Sequence, residues 1–224
     1  MFRQRIPDAG EFRSAPMIDL YTWSTPNGRK VSILLEELGI PYEVHPVDID
    51  HGAQFAPEFL AISPNNRIPA IVDRDSGFRL MESGAIMLYL AQKHGRFLPG
   101  GEEYWRTVEW LMWQMGGVGP MLGQAHHFLY NNPGKSPYSE ERYHNESKRL
   151  YGVLDRRLAA RDFVAGAGRG EYTIADMAIW PWIARFQRHQ VDMNAFPAVK
   201  SWYLGIADRP AVQRGYQIPE EIGP

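Results

Sequence analysis

The chain has 224 residues, of which 44% are hydrophobic, 12% aromatic and 22% charged, as in folded globular proteins and unlike extensively disordered ones. Its 24 basic and 26 acidic residues leave a net charge of -2, which provides no positive field to hold nucleic acid. The absence of cysteine excludes disulfides, thiolate metal sites and a cysteine nucleophile in the protein itself. Any thiol chemistry therefore requires a bound thiol.

Apolar runs such as residues 85–91 are much shorter than the roughly 20 residues that span a bilayer. Residues 1–16 lack the apolar segment of a secretion signal. We therefore expect a cytoplasmic protein without a membrane partner, with residues 1–16 as an N-terminal extension.

Two strands and a helix are predicted after the extension. Alternating polarity from Met17 to Trp23 favours a strand. A helix is expected from Pro26, because a capping hydroxyl precedes a proline at its first position. Gly39 ends that helix, and residues 42–47 form the next strand of a parallel βαβ unit. The apolar face of the helix consists of Val31, Leu34, Leu35 and Leu38.

A hairpin and a second helix follow. Residues 69–73 and 78–81 flank the turn 74–77, and a helix over residues 83–94 is expected to be capped by Ser83. Strand patterns end near Pro99-Gly100-Gly101, so we place the domain boundary between residues 98 and 99. The order over residues 17–98 is thus β-α-β, loop, β-β-α.

Several segments of residues 99–224 have helical periodicity, and strand patterns are absent from the sequence there. Thr173 and Asp176 form a capping-box pattern for a helix through Trp180, which Pro181 is expected to kink or break. Another amphipathic helix is predicted over residues 197–207. Two apolar stripes are expected to face the core: Trp105, Val108, Met112 and Met115, and then Tyr143, Ser147, Leu150, Tyr151, Leu154 and Leu158.

Three junctions in the first domain have two interpretations each. Thr25-Pro26-Asn27 is an ordinary helix start, or a site where a hydroxyl, an amide and the helix dipole favour a thiolate. Pro69 simply begins an edge strand, or Ile68-Pro69 is cis and the Ile68 backbone pairs with an extended peptide. Glu82-Ser83 is a routine cap, or an anchor for a carboxylate and an ammonium group.

These junctions converge at one end of the predicted sheet, and together they suit a peptide that has an α-amino acid head group and a thiol. The motifs SxPNxxKVxxxLEELGIPY, FLxISPNNRIPAI and MESGAIMLYLA resemble the glutathione transferase superfamily, and TIADMAIWPW resembles its helical-domain capping motif. The resemblance covers residues 17–210. It implies an α/β thioredoxin-like N-terminal domain, an all-α C-terminal domain and a homodimer.

Within the superfamily, TPNGRK, SPNNRIPAIVD and WQMGGVGPMLGQAHHF resemble the nu-class branch, which includes bacterial glutathione-dependent disulfide reductases and a yeast nitrogen-catabolite regulator. The resemblance implies roles in sulfur activation for Thr25 and Asn27. It implies glutathione contacts for Gln54, Arg67, Ile68, Glu82, Ser83 and, from the long helix of the second domain, Arg142.

The superfamily's catalytic hydroxyl position is ambiguous here. Ser24 directly precedes Thr25, and Tyr21 lies within the first strand, where packing or a place on the sheet surface is the favoured role. His126 and His127 are adjacent and cannot share one helix face, so a metal site is not expected.

Glutathione is thus expected as cosubstrate, and a glutathione-dependent disulfide-bond oxidoreductase is the leading hypothesis, with transferase or peroxidase side activity. The alternatives are a transferase that conjugates electrophilic small molecules and a glutathione-binding regulator without turnover.

Overall fold

The structure is a computed structural model, and it describes residues 17–219; the predicted extension over residues 1–16 lies outside them. Four strands form one sheet in the order β2-β1-β3-β4. β1 is parallel to β2 and antiparallel to β3, which is antiparallel to β4. This confirms the predicted βαβ unit and hairpin. The strands are β1 (Ile18–Thr22), β2 (Tyr42–Pro46), β3 (Ala70–Asp73) and β4 (Phe78–Met81).

Helix α1 (Pro26–Leu38) crosses from β1 to β2 and begins as predicted. The Thr25 hydroxyl oxygen accepts a hydrogen bond from the backbone N–H of Gly28, and Gly39 ends the helix at φ 70°. Gly28 allows the helix start to approach the end of β1, because a Cβ there would lie 2.3 Å from Thr22 Oγ1 and 2.5 Å from the Trp23 carbonyl oxygen.

A 3₁₀ turn, Ala53–Phe55, and the short helix α2 (Pro57–Leu60) lie between β2 and β3, and helix α3 (Ser83–His94) follows β4. The predicted cap is wrong. Glu82 occupies the cap position at φ 71°, and Ser83 is the first residue of the helix. The unusual backbone of Glu82 moves the helix start by one residue, so the Ser83 hydroxyl faces the interior instead of the free N–H groups.

The rest of the described chain is helical apart from turns and an isolated bridge between Ala165 and Glu171. Two π-helical segments, Gln114–Val118 and His126–Asn131, flank α5, and 3₁₀ turns span Phe186–His189 and Met193–Ala195. The helices are α4 (Glu102–Trp113), α5 (Gly119–Ala125), α6 (Pro137–Leu158), α7 (Ile174–Ile183), α8 (Pro197–Ala207) and α9 (Pro210–Tyr216).

The predicted apolar stripe of α4 is wrong. Trp105 is 69% exposed and Met112 is 47% exposed, whereas Thr107 and Leu111 are buried. The buried face continues to Gln114, so it contains polar residues that a search for apolar periodicity does not detect. On α6, by contrast, the predicted residues Ser147, Leu150, Tyr151, Leu154 and Leu158 are buried.

Helix α7 does not end at Trp180 but continues through Pro181 to Ile183. All of its residues are buried, so packing on every side holds the helix although proline cannot donate its backbone hydrogen bond. The predicted capping box is confirmed: Thr173 and Asp176 bond reciprocally at the helix start.

The first domain packs onto the helices through α1, which contacts α7 and α9. One hydrophobic cluster includes Leu34 of α1, Leu90 of α3 and Ile179 of α7. This shared core fixes the start of α1 relative to the helical half, and the candidate site lies at that junction. Among residues 17–219, every helix is too short or too polar to cross a bilayer.

Candidate active site

A cavity of about 1020 Å³ lies between the sheet domain and the helices. The loop before β3 and the starts of α1 and α3 form one wall, and the segments around α5 and α7 form the other. Its lining from the first domain includes Asn27, Lys30, Ser63, Arg67, Ile68, Glu82 and Ser83, and from the helices Gln114, Met115, Gly119, Gln124, His127, Phe128 and Trp182.

The cavity brings together five of the residues singled out from the sequence: Asn27, Arg67, Ile68, Glu82 and Ser83. They come from three separate segments, as the predicted convergence of junctions requires. Their individual roles stay predictions.

Three other predicted residues do not line this cavity. Thr25 caps α1 beside it. Gln54 is buried in the 3₁₀ turn, with its Oε1 unbonded within residues 17–219. Arg142 lines a separate surface pocket on α6 with Tyr138 and Tyr143. The predicted glutathione contacts of Gln54 and Arg142 therefore have no support from the cavity itself.

Asn27 is oriented by the second domain. The indole Nε1 of Trp182 donates a hydrogen bond to Asn27 Oδ1 at 3.1 Å. An indole N–H can only donate, so the amide oxygen must face Trp182. The amide NH₂ of Asn27 is left to serve as a donor to a group in the cavity. The sequence motifs identified Asn27 but gave no signal for its contact with Trp182, which lies 155 positions away in the chain.

The hydroxyl groups near Asn27 have separate partners. Ser24 Oγ accepts from the Arg29 guanidinium at 2.9 Å, and Thr25 Oγ1 accepts from the Gly28 backbone at 3.3 Å. The Thr25 proton is not used by that bond. Tyr21 stacks on His45 with ring centres 4.7 Å apart, which confirms its predicted packing role on the sheet.

The loop before β3 forms one side of the cavity. The Ile68-Pro69 bond is cis, which is the conformation that the second alternative requires, while the pairing of Ile68 with a peptide stays a prediction. Ser63 Oγ donates to the Arg67 carbonyl oxygen at 2.8 Å and fixes the loop. Within residues 17–219 the Ile68 backbone N–H and C=O have no hydrogen-bond partner, so they are available to an extended ligand next to the sheet edge.

The start of α3 lies across the cavity from that loop. Glu82 is exposed and has a positive φ of 71°, a conformation that non-glycine residues rarely adopt and that is frequent at functional sites. Free N–H groups at a helix start attract a carboxylate, while Glu82 offers a negative charge to an ammonium group. The free N–H groups and the Glu82 carboxylate together suit the zwitterionic end of an amino acid.

Lys30 is the main residue that the sequence did not reveal. It lines the cavity although it is only 2% exposed. Its Nζ donates to Gln114 Oε1 at 2.7 Å and lies 3.4 Å from Ser83 Oγ. Burial lowers the pKa of Lys30 to about 7, and the negative charge of Glu82 opposes that shift. The position of Lys30, three residues after Asn27 on one helix face, was the available signal.

Two histidines lie on the helical wall. His127 lines the cavity, whereas the His126 ring contacts that of Trp182 in a tilted arrangement, with ring centres 5.4 Å apart, and stacks on His189 at 4.6 Å. Burial lowers the pKa of His126 to about 4. The side chains face different directions, as the sequence predicted for neighbours on a helix.

A cluster of possible metal ligands, Asp19, Glu43 and His45, lies on the sheet. Arg74 bonds to both carboxylates of this cluster, and the cluster is not part of the cavity lining. The prediction that the site needs no metal is neither strengthened nor weakened by it.

The arrangement can hold a peptide thiol. It offers an oriented amide donor at the start of α1 and free backbone groups at Ile68. At the start of α3 it offers free N–H groups for a carboxylate and the Glu82 carboxylate for an ammonium group. Comparison with known proteins agrees with these features: the family model described as the glutathione S-transferase N-terminal domain matches residues 16–92, and that of the C-terminal domain matches residues 138–204. The chain belongs to the glutathione S-transferase family.

Individual relatives are closely similar. The disulfide-bond oxidoreductase YfcG of Escherichia coli is 50% identical over 87% of this chain and 92% of its own length. The disulfide-bond oxidoreductase YghU of the same organism is 41% identical over 92% of this chain and 76% of its own. A glutathione transferase from Pseudomonas putida, solved with one glutathione disulfide per subunit, superposes with a TM-score of 0.85 at 44% identity, covering 93% of this chain and 94% of that one.

Proposed function

We propose that the protein is a glutathione-dependent disulfide-bond oxidoreductase. The observation that carries the proposal is the Asn27 amide, which Trp182 holds with its NH₂ group available at the start of α1, in a chain that contains no cysteine. A donor at a helix start stabilises a thiolate, and here that thiolate must belong to the ligand.

Glutathione fits the three parts of the cavity. Its thiol lies next to Asn27, with the Thr25 hydroxyl as a second donor. The backbone of its cysteinyl residue pairs with Ile68. Its γ-glutamyl end lies at the start of α3, where Ser83 receives the carboxylate and Glu82 the ammonium group. The predicted contacts of Arg67, Gln54 and Arg142 complete this proposal.

The reaction is a thiol–disulfide exchange. The bound glutathione thiolate attacks one sulfur of a disulfide, forms a mixed disulfide and releases the other sulfur as a thiolate. A second glutathione thiolate attacks the glutathione sulfur of the mixed disulfide, so that glutathione disulfide forms and the remaining substrate sulfur leaves as a thiolate. The protein contributes position and thiolate stabilisation. The names of YfcG and YghU and the glutathione disulfide bound to the Pseudomonas protein support this choice.

The nu-class assignment and the dimer implied by the resemblance belong to the same proposal, as does the cytoplasmic location expected from the short apolar runs. The exposed apolar side chains of Trp105 and Met112 on α4 support an interface with a second copy, because large exposed apolar groups that lie together mark interaction surfaces. Sedimentation at low protein concentration tests the dimer, and Trp105→Glu is expected to weaken it.

A paired assay distinguishes the proposal from its alternatives. The rate with glutathione and 2-hydroxyethyl disulfide is compared with the rate with glutathione and 1-chloro-2,4-dinitrobenzene. We expect efficient disulfide reduction and weak conjugation. Turnover of the aromatic chloride alone would favour a conjugating transferase, and glutathione binding with no turnover of either would favour the regulator.

A further inference from the structure

Lys30 lies in an unusual environment between the two domains. Its Nζ contacts Gln114 Oε1 at 2.7 Å, Ser83 Oγ at 3.4 Å and Met115 Sδ at 4.0 Å. These partners are neutral, and within residues 17–219 Lys30 forms no ion pair. A buried ammonium without a bonded anion is unfavourable. A negatively charged ligand group near Lys30 would therefore be stabilising.

Gln114 supplies a second, independent sign of a ligand. An ammonium has only donors, so the amide oxygen of Gln114 must face Lys30. The amide nitrogen is then left over, and it is buried without a hydrogen-bond partner in the described part of the chain. Gln114 is fully buried and lines the cavity. A buried ammonium without a bonded anion and a buried amide N–H group without an acceptor together favour an anion.

The charge state of Lys30 sets the direction of the Ser83 hydroxyl. The ammonium has no lone pair, so Ser83 Oγ must accept from it and turn its own proton away. That proton then points to the Met115 sulfur, 3.7 Å away, or to a ligand. A thioether is a weak acceptor, so a carboxylate at the start of α3 takes the proton in preference. A neutral amine would instead accept the proton of Ser83.

We propose that Lys30 is a positioning residue for the γ-glutamyl carboxylate of glutathione, because its ammonium turns the Ser83 proton toward the ligand and supplies the opposing charge. The inference rests on the proposed function only in requiring that glutathione binds. The new element is the Lys30 ammonium, which acts on the ligand through Ser83. It comes from within α1 rather than from the start of a helix.

The pH dependence follows from the surroundings of Lys30. Burial sets its pKa near 7, and Glu82 is the charged neighbour that opposes this effect. Other charged groups near α1 form hydrogen bonds with residues other than Lys30. These pairs are Asp176 with Trp202, Arg214 with Glu36, Arg209 with Glu37 and Lys93 with Asp73. The cation is present at pH 6 and lost as the pH rises through its pKa, so carboxylate affinity falls with rising pH.

The test is calorimetry with S-methylglutathione from pH 6 to pH 8.5, because this ligand has no thiol to titrate. For the wild type we expect affinity to fall on the order of tenfold across the range, the effect of one charge-assisted hydrogen bond. Lys30→Met is expected to bind weakly at every pH. Lys30→Arg keeps its charge, so its affinity is expected not to change with pH. The control Lys200→Met removes an exposed lysine of α8 and is expected to match the wild type.

A wild type that binds equally at all pH values, or a Lys30→Met variant that keeps the wild-type pH profile, would overturn the role of Lys30 alone. No binding by the wild type at any pH would instead defeat the proposed function. If Lys30→Met fails to fold, the Nζ titration of Lys30 in the wild type is followed by NMR. The ligand is expected to raise its midpoint, and an unchanged midpoint overturns the inference.

Discussion

Trp182 Nε1 and Asn27 Oδ1 are 3.1 Å apart although 155 positions separate the two residues in the chain. This bond joins the helical half to the start of α1 and determines which end of the Asn27 amide faces the cavity. The proposed thiolate donor is therefore positioned by the second domain, and the fold of both halves is needed to complete the site.

Trp182→Phe tests this relationship. The variant keeps the aromatic packing but removes the donor, so the Asn27 amide can rotate. We expect kcat/KM for 2-hydroxyethyl disulfide to fall about 5- to 30-fold, which corresponds to the ~1–2 kcal/mol of one hydrogen bond. The matched control is Trp180→Phe on the same helix, whose Nε1 bonds to the Tyr203 carbonyl at 3.0 Å. Equal losses in both variants would contradict a specific role for Trp182.

His189 makes stability depend on pH. Burial, with the nearby charges of His126 and Arg188, lowers the pKa of His189 to about 2. In the unfolded chain a histidine titrates near 6.5. Between these values the unfolded state binds the extra proton, so stability is full above pH 6.5 and is lost as the pH falls. The expected slope is ~1.4 kcal/mol per pH unit for this histidine.

His189→Gln removes that titration while keeping a polar partner for Tyr151, whose hydroxyl lies 3.0 Å from His189 Nδ1. Unfolding in urea at pH 7.5 and pH 5 is the measurement. We expect the variant to lose less stability than the wild type on acidification. An identical loss would show that His189 titrates normally in the folded protein.

We expect removal of the Asp176 carboxylate to lower the free energy of unfolding strongly. It is fully buried and accepts bonds from the Val164 and Thr173 backbones and from Trp202 Nε1, at 3.0, 3.1 and 3.0 Å. Asp176→Ala leaves these donors unbonded in the interior, and we expect a loss of about 3–5 kcal/mol in urea unfolding.

Asp155→Ala provides the comparison for that loss. Asp155 is half-buried and, within residues 17–219, accepts hydrogen bonds only from the backbones of Ala198 and Val199 at the start of α8. Its removal is expected to cost about 1 kcal/mol, as for an ordinary helix cap. A loss at Asp176 no larger than that at Asp155 would contradict the importance of the buried network.

Local patterns in the sequence predicted most of the first domain. The cap at Thr25, the stop at Gly39 and the hairpin turn depend on neighbouring residues, and the structure contains all three. Ser83 was misplaced because no sequence signal marks a positive φ at a non-glycine residue such as Glu82. The face of α4 was misjudged because Thr107 and Gln114 lie on its buried side.

The internal organisation of the site could not be predicted in the same way. Lys30 contacts Gln114 across 84 positions, and Asn27 meets Trp182 across 155. Such pairs form only when helices from both halves pack together, so neither periodicity nor capping rules indicate them. The family motifs identified five residues of the first domain that line the cavity, whereas Lys30 and the supporting residues emerged from the packing.

The most direct test of thiol activation is the titration of reduced glutathione bound to the protein, followed by the ultraviolet absorbance of the thiolate. A free cysteine thiol ionises near pH ~8.5. We expect the bound thiol to titrate at least one pH unit lower, and its pKa to return toward that of the free thiol in Asn27→Ala. A bound thiol with the pKa of free glutathione, unchanged by Asn27→Ala, would contradict the proposed activation.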